Sequence, residues 1–356
     1  MDHRNNFDLI RLVAAVQVML THGIAHLKLE LPEVIERSIN AFPGVPIFFV
    51  VSGFVIAGSY RRQCSIGDYA FNRARRIYPA LWVNLLGITV LLAVAGNLNF
   101  GPDHLRFWIW HVVAFITGSD YIASQNLGSI FGGEGHLPFY PSGVLWTLPV
   151  EIGFYLLAPL ILMNRLQSRR IAGISIALWT AASLAFFWLV RREGDLIIFV
   201  GLYLWIFLLG TAAQVYWDRI QHLFVGKAVF WLAAHAGLTV LIVSITGSLP
   251  VYVVPQWLNI LHTCTLAGLT LSAAFTVPWL AAKALRGNDI SYGLYLWHMP
   301  VFCTFIIAGL IGGWHWFVVA SAVAAALATA SMLLVERPAS KLRRQRDPQP
   351  RMTPTG

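Results

Sequence analysis

Charge is scarce in this chain. Only 12% of its 356 residues are Asp, Glu, Lys or Arg, while 57% are hydrophobic; soluble domains are about a quarter charged. A soluble fold must cover itself with polar atoms, and this composition excludes that. Cysteine is equally sparse. Cys64, Cys264 and Cys303 show neither paired nor metal-ligand spacing, so neither a disulfide framework nor a metal site is expected. No internal repeat is evident, and no appended soluble domain is expected. A cleavable secretory signal is not expected either, because Asp8 and Arg11 interrupt the first apolar run and no small-x-small site follows it.

What the chain does have is a series of mostly apolar runs of about 20 residues, each long enough to cross hydrocarbon as a helix. Runs and breakers together place spans near 8–27, 43–60, 77–96, 144–163, 170–190, 196–215, 227–246, 257–281, 290–312 and 316–335. The fold class expected is all-α, a polytopic transmembrane helix bundle. The net charge of +9 does not point to nucleic acid, since the positive residues lie in short loops and one tail, the distribution of a bilayer protein. His104–Gly118 is ambiguous: it is rich in Trp and Phe but short, and it contains Arg106 and His111. If it stays out of the membrane core, ten spans result, with both termini cytoplasmic. Of the 25 Lys and Arg, 20 then lie inside, and only Lys28, Arg37, Arg106, Arg191 and Arg192 lie outside. That asymmetry favours ten spans. Residues 119–143 form a polar, Gly- and Pro-rich loop placed outside, long enough to be functional or disordered. One membrane domain is expected over 1–336, followed by a basic, Pro-rich, disordered cytoplasmic tail over 337–356.

Ionisable residues inside a bilayer are costly and point to function. In the first run Arg11 and His22 are 11 residues apart, on one helix face and separated by about 16 Å in depth. Asp8 is one turn before Arg11 and can pair with it. The plain alternative is a snorkelling arginine and a packing histidine. Ser52-Gly53 sits mid-span, where small residues also serve close helix packing. Arg73, Arg75 and Arg76 cluster just before a span; fork-shaped donors suit phosphate, and the same cluster serves as a topology signal. Glu151 falls at the expected depth of His22, forming a candidate base-and-orienter pair. Tyr292, Tyr295 and His298 recur at spacing three as one polar face, and Pro300 is a possible kink in that helix. His111, His235 and His262 have no evident partner and read as packing.

Six motifs in order, from Asp8 to Pro338, give the chain a likeness to a known family. They are R-x10-H (Arg11, His22), SGF (Ser52 to Phe54), R-x-x-R-I-x-P (Arg73, Arg76, Ile77, Pro79), W-[ST]-L-x-x-E (Trp146, Thr147, Leu148, Glu151), S-Y-x-x-Y-L-x-H-x-P (Ser291, Tyr292, Tyr295, Leu296, His298, Pro300) and V-E-R-P (Val335 to Pro338). The combination resembles acyltransferase family 3, integral membrane enzymes that O-acylate bacterial glycans, lipopolysaccharide, Nod factors and some secondary metabolites. The resemblance implies a ten-helix fold in the inner membrane, an acyl-CoA donor (usually acetyl-CoA), and His22 with Arg11 as essential residues. One departure is Pro149-Val150-Glu151, where relatives commonly have a Ser and a second acid. Some relatives carry a C-terminal esterase-like domain; without one, this chain is expected to complete transfer itself or to hand on to a partner.

The expected enzyme is therefore a transmembrane O-acyltransferase moving an acyl group, usually acetyl, to a hydroxyl of a cell-surface or exported carbohydrate or glycolipid. Arg73 and Arg76, with Arg75, hold the CoA phosphates. His22 is the general base, since an ordinary imidazole titrates near pH 6.5, and Glu151 orients it. Tyr292, Tyr295, His298 and Ser52 complete the donor-side set, with the tyrosines or Ser52 polarising the thioester carbonyl. The alternative from another class is a secondary transporter or flippase, which also uses intramembrane His, Glu and Arg; against it, no paired interrupted segments mark two halves.

Overall fold

The computed structural model describes residues 5–62, 65–94, 143–162, 168–189, 196–252, 254 and 256–341, and among these it contains helices and no strands. All ten apolar runs form helices. They are α1 (Phe7–His26), α3 (Gly44–Arg62), α4 (Ile66–Val94), α5 (Thr147–Leu162), α6 (Arg169–Leu189), α7 (Leu196–Val215), α9 (Ala228–Thr246), α10 (Trp257–Thr276), α12 (Ser291–Ile307) and α13 (Trp314–Ser331). Four short helices lie between or after them: α2 (Glu33–Asn40), α8 (Trp217–Ile220), α11 (Leu280–Leu285) and α14 (Arg337–Lys341). By length and apolarity, six helical stretches among the described residues can cross a bilayer. The number is seven if Val200–Val215 and Trp217–Leu223, which meet at 80°, count as one. The protein is a multi-pass membrane protein. His104–Gly118, the loop 119–143 apart from Gly143, and Cys64 lie outside the described residues.

Residues 337–341, expected to open the tail, are helical. A π-helical turn, Met332–Glu336, carries α13 directly into α14. Pro338 does not stop the helix there; it follows the π-helical turn directly, and the helix continues to Lys341. Residues 342–356 lie outside the described residues.

Prolines also sit inside the long helices, at Pro79, Pro159 and Pro300. Each lacks an N–H and so leaves the carbonyl four residues earlier without its helical donor. In hydrocarbon that carbonyl must be satisfied by the protein itself. At Pro159 the orphan is Tyr155 O, and the Tyr69 hydroxyl donates to it at 3.0 Å. At Pro300 the orphan is Leu296 O, and the Asn84 amide donates to it at 3.0 Å. Helix α12 thereby continues through Pro300 without a break. Both donors belong to α4.

The most extensive helix pair is α3 with α7. Gly53 faces the Phe207 carbonyl and Gly210 faces the Val50 carbonyl, each so closely that an added Cβ would clash with backbone. Thr211 Oγ1 donates to Gly53 O at 3.3 Å. Small residues here let two backbones touch, a common basis of helix association in lipid. At the start of α1, the buried Asn6 ties the helix to the end of α10: its Nδ2 donates to Val277 O at 2.7 Å, and its Oδ1 accepts from Ala281 N at 2.9 Å.

The α3–α7 contact is the part of the scaffold most sensitive to volume. Gly53→Ala is expected to cost about 1–3 kcal/mol or more through forced separation of the helices, read as a lower Tm in detergent. Gly237→Ala, where open space surrounds the position, should leave Tm unchanged or raise it.

Candidate active site

Three cavities adjoin one another through shared lining residues. The first is lined by Asn72, Arg73, Arg75, Arg76, Gly287, Asp289, Tyr292, Met332, Glu336, Arg337 and Ser340. The middle one shares Arg73, Arg76 and Tyr292 with it and adds Arg11, Ser52, Glu151, Tyr155 and Tyr295 among apolar residues. The third shares Val45 and Tyr295 with the middle one and holds Gln17, Thr21, His22, Asn40, Trp146 and Tyr252. Arginines thus gather at one end of the series and His22 lines the other.

Glu151 is the hub of the middle cavity. Its Oε1 accepts from Ser52 Oγ at 2.9 Å and also from the Tyr155 hydroxyl. Tyr155 follows Glu151 by four residues and so stands on the same helix face; that spacing was legible in the sequence and had not been used. Arg73 lies over the Tyr155 ring, 5.9 Å from its centroid. Arg11 pairs with Asp8 at 3.1 Å, as their spacing suggested. Arg76 lies 3.7 Å from Asp289, and Asp289 in turn accepts from Ser291 N at 3.0 Å, just where α12 starts. Arg75 does not line the middle cavity. Its guanidinium sits 3.9 Å from the Phe71 ring centroid, and it walls only the arginine-rich end cavity.

Glu151 is not hydrogen-bonded to His22. The two residues line different cavities, and the partner of His22 is His298, with Nδ1 of the former 2.9 Å from Nε2 of the latter. The expected pairing fails on depth. Tyr295, three residues before His298, bonds Thr147 at 2.9 Å, and Glu151 is a further turn along α5. At 1.5 Å per residue the carboxylate is therefore about 10 Å deeper than the imidazole. His298, expected in the donor-side set, lines none of these three cavities and instead contacts His22. Tyr292 and Tyr295 do line the middle cavity; the Tyr292 hydroxyl donates to Ile77 O at 3.0 Å.

Ser52 and Gly53 face different neighbours. Ser52 faces Glu151 and Gly53 packs on α7. His235 and His262 do pack, but with partners. His235 lies 2.9 Å from Thr265 Oγ1 and 3.0 Å from Ala41 O, and His262 lies 3.1 Å from Thr239 Oγ1. His111 lies outside the described residues. Among the described residues no group of three or more His, Cys, Asp or Glu side chains gathers as a metal site.

Residues 4–335 match the family model described as an acyltransferase domain. Nodulation protein 10 of Rhizobium leguminosarum bv. viciae is 36% identical over 96% of this chain and 94% of its own length. The O-acetyl transferase of Shigella phage Sf6 is 25% identical over 84% of this chain and 85% of its own. The exopolysaccharide production protein ExoZ of Rhizobium meliloti is 27% identical over 76% and 79% respectively. No solved structure matches. With the family model spanning nearly the whole described bundle and each of the six motifs lying within or at the edge of that match, the chain belongs to acyltransferase family 3 and is a membrane-embedded acyltransferase.

Proposed function

We propose that this enzyme carries an acetyl group from acyl-CoA on the cytoplasmic side to a hydroxyl of a cell-surface or exported carbohydrate on the other side of the inner membrane. The observation that carries this reading is the series of three cavities, with arginines at one end and His22 at the other. Arg73, Arg75 and Arg76 take the CoA phosphates, for which guanidinium forks are suited. The pantetheine arm then lies along the middle cavity past Arg11, with Tyr292, Tyr295 and Ser52 near the thioester. The acceptor enters the third cavity, where Trp146 and Tyr252 offer rings and Gln17, Thr21 and Asn40 offer hydrogen-bonding groups beside His22. Similarity to the phage O-acetyl transferase and to the exopolysaccharide production protein favours acetyl and carbohydrate.

Ten crossings with cytoplasmic termini fit the direction of the helices. Ser175 bonds Ile161 O, so α6 starts where α5 ends, and Ala228 N bonds Thr276 Oγ1, so α9 starts where α10 ends. Asn6 joins the start of α1 to the same end of α10, while Gly312 N bonds Leu27 O at 2.8 Å at the opposite end of α1. Successive long helices thus run back and forth. Reporters fused after residue 130 should report outside and after residue 167 inside; an inside signal at 130 would remove the ten-span topology.

The reaction itself is tested with purified protein in lipid, labelled acetyl-CoA and a panel of glycans. The expected result is label on a glycan by mass spectrometry, and label that stays on CoA with every glycan speaks against the assignment. Replacing both Arg73 and Arg76 by Ala should weaken acyl-CoA binding at least tenfold, since charge-assisted contacts are worth about 1.5–3 kcal/mol each. Unaltered affinity would return both residues to a topology signal. His22→Ala should lower transfer by about 10²–10⁴-fold, the usual share of a general base. His235→Ala and His262→Ala should lower Tm but spare the turnover of the protein that remains folded.

A further inference from the structure

We propose that His298 is a positioning residue that fixes the tautomer of His22, so that the base nitrogen of His22 is Nε2, facing the third cavity. The inference rests on the reading of His22 as the base and adds to it how that base is prepared.

The assignment follows from one carbonyl. His298 Nδ1 lies 3.1 Å from Leu294 O, and a carbonyl can only accept, so Nδ1 carries the hydrogen. A neutral imidazole has a single N–H, which leaves a lone pair on His298 Nε2. That atom is 2.9 Å from His22 Nδ1, so His22 must donate and its own hydrogen sits on Nδ1. Its Nε2 is then the lone-pair nitrogen. The ring planes are within 14° of each other with centroids 5.2 Å apart, so the donated hydrogen lies near the plane of the accepting ring, where its lone pair points.

The opposite polarity needs a cationic His298 donating from both nitrogens. His298 is 0% exposed. Its described surroundings are the Leu294 carbonyl, the rings of Tyr295 and Phe302, and His22, with no carboxylate among them. An uncompensated cation in such a place is strongly disfavoured. His22 by contrast lines the third cavity, and none of the described residues hydrogen-bonds its Nε2. The second histidine near it, His26, stands face to face at 5.6 Å and does not compete for Nδ1.

In the reaction the acceptor O–H proton passes to His22 Nε2 while the acceptor oxygen bonds the thioester carbonyl carbon. The C–S bond breaks, and the thiolate leaving group takes the proton from His22. Ester and free thiol are the products. Throughout, His298 Nε2 accepts from His22 Nδ1, holding the ring in place and taking part of the charge of the transient imidazolium.

The direct test is nitrogen-15 magic-angle-spinning NMR of histidine-labelled protein in lipid, with the two signals assigned by their loss in His22→Asn and His298→Gln. Both residues should carry hydrogen on Nδ1. A wild-type His22 with hydrogen on Nε2 overturns the proposal whatever the protein catalyses. The kinetic arm compares His298→Leu with His298→Gln, whose amide can both accept from His22 and donate to Leu294 O. Leu should lower kcat by about 10²-fold with KM for acyl-CoA unchanged, and Gln should stay within about tenfold of wild type. Full activity in the Leu variant, or a Gln variant no better than Leu, refutes the positioning role. Absence of transfer in the wild type would count against the acyltransferase chemistry, and the NMR result would still decide the pair.

Discussion

Within hydrocarbon there is no water to satisfy a stray carbonyl, and the architecture of this bundle follows from that requirement. Pro159 and Pro300 each free a carbonyl, and both are answered from α4, by Tyr69 and Asn84. The helices so held are the ones that matter. Helix α5 carries Glu151 and Tyr155, and α12 carries Tyr292, Tyr295 and His298. Helix α4 also carries Arg73 and Arg76, so one helix both presents the guanidinium groups and locks the two helices that build the rest of the site. Gly87 lets α4 lie close on the Trp297 ring, reinforcing the Asn84 contact.

The same economy governs charge. Arg11, Arg73 and Arg76 enclose one end of the middle cavity, with Glu151, Asp8 and Asp289 set against them. Ser52 and Tyr155 use their hydroxyls on one Glu151 oxygen, which fixes the carboxylate rather than leaving it to rotate toward the nearest cation. Beyond Tyr295 the cavity is lined by no Asp, Glu, Lys or Arg among the described residues, its polar side chains including Gln17, Thr21, His22 and Asn40. This gradient suits the proposed division between a polyanionic donor at one end and an uncharged hydroxyl at the other.

The helices were legible in the sequence because apolarity and breakers are local, and all ten apolar runs became helices. Depth was not legible. Tyr292, Tyr295 and His298 share a face at spacing three, but the same spacing climbs about 9 Å, and the three residues end at three levels: the wall between the first two cavities, the wall between the second and third, and the imidazole of His22. Periodicity gives the face and leaves the level to tertiary packing. Glu151 was misplaced for the same reason, since its depth depends on where α5 meets Tyr295. Helix α14 was missed because its composition is that of a tail, and only its docking beside Arg73 and Arg76 distinguishes it.

An imidazole orienting an imidazole, rather than a carboxylate doing so, suits this location. In soluble hydrolases a buried carboxylate holds the base and stabilises its cation, and it needs hydrogen bonds of its own to remain ionised there. At His298 the environment offers aromatic rings and a backbone carbonyl, which would leave a carboxylate poorly solvated. A neutral histidine supplies the same directional acceptor with no charge to desolvate. It gives less stabilisation to a cationic His22, so a long-lived imidazolium is disfavoured and the proton is best passed on promptly. In the proposed reaction the departing thiolate is the group at hand to receive it. The pairing of His22 with His298 therefore fits transfer from a thioester, whose leaving group is weakly basic, better than attack on an ester or amide.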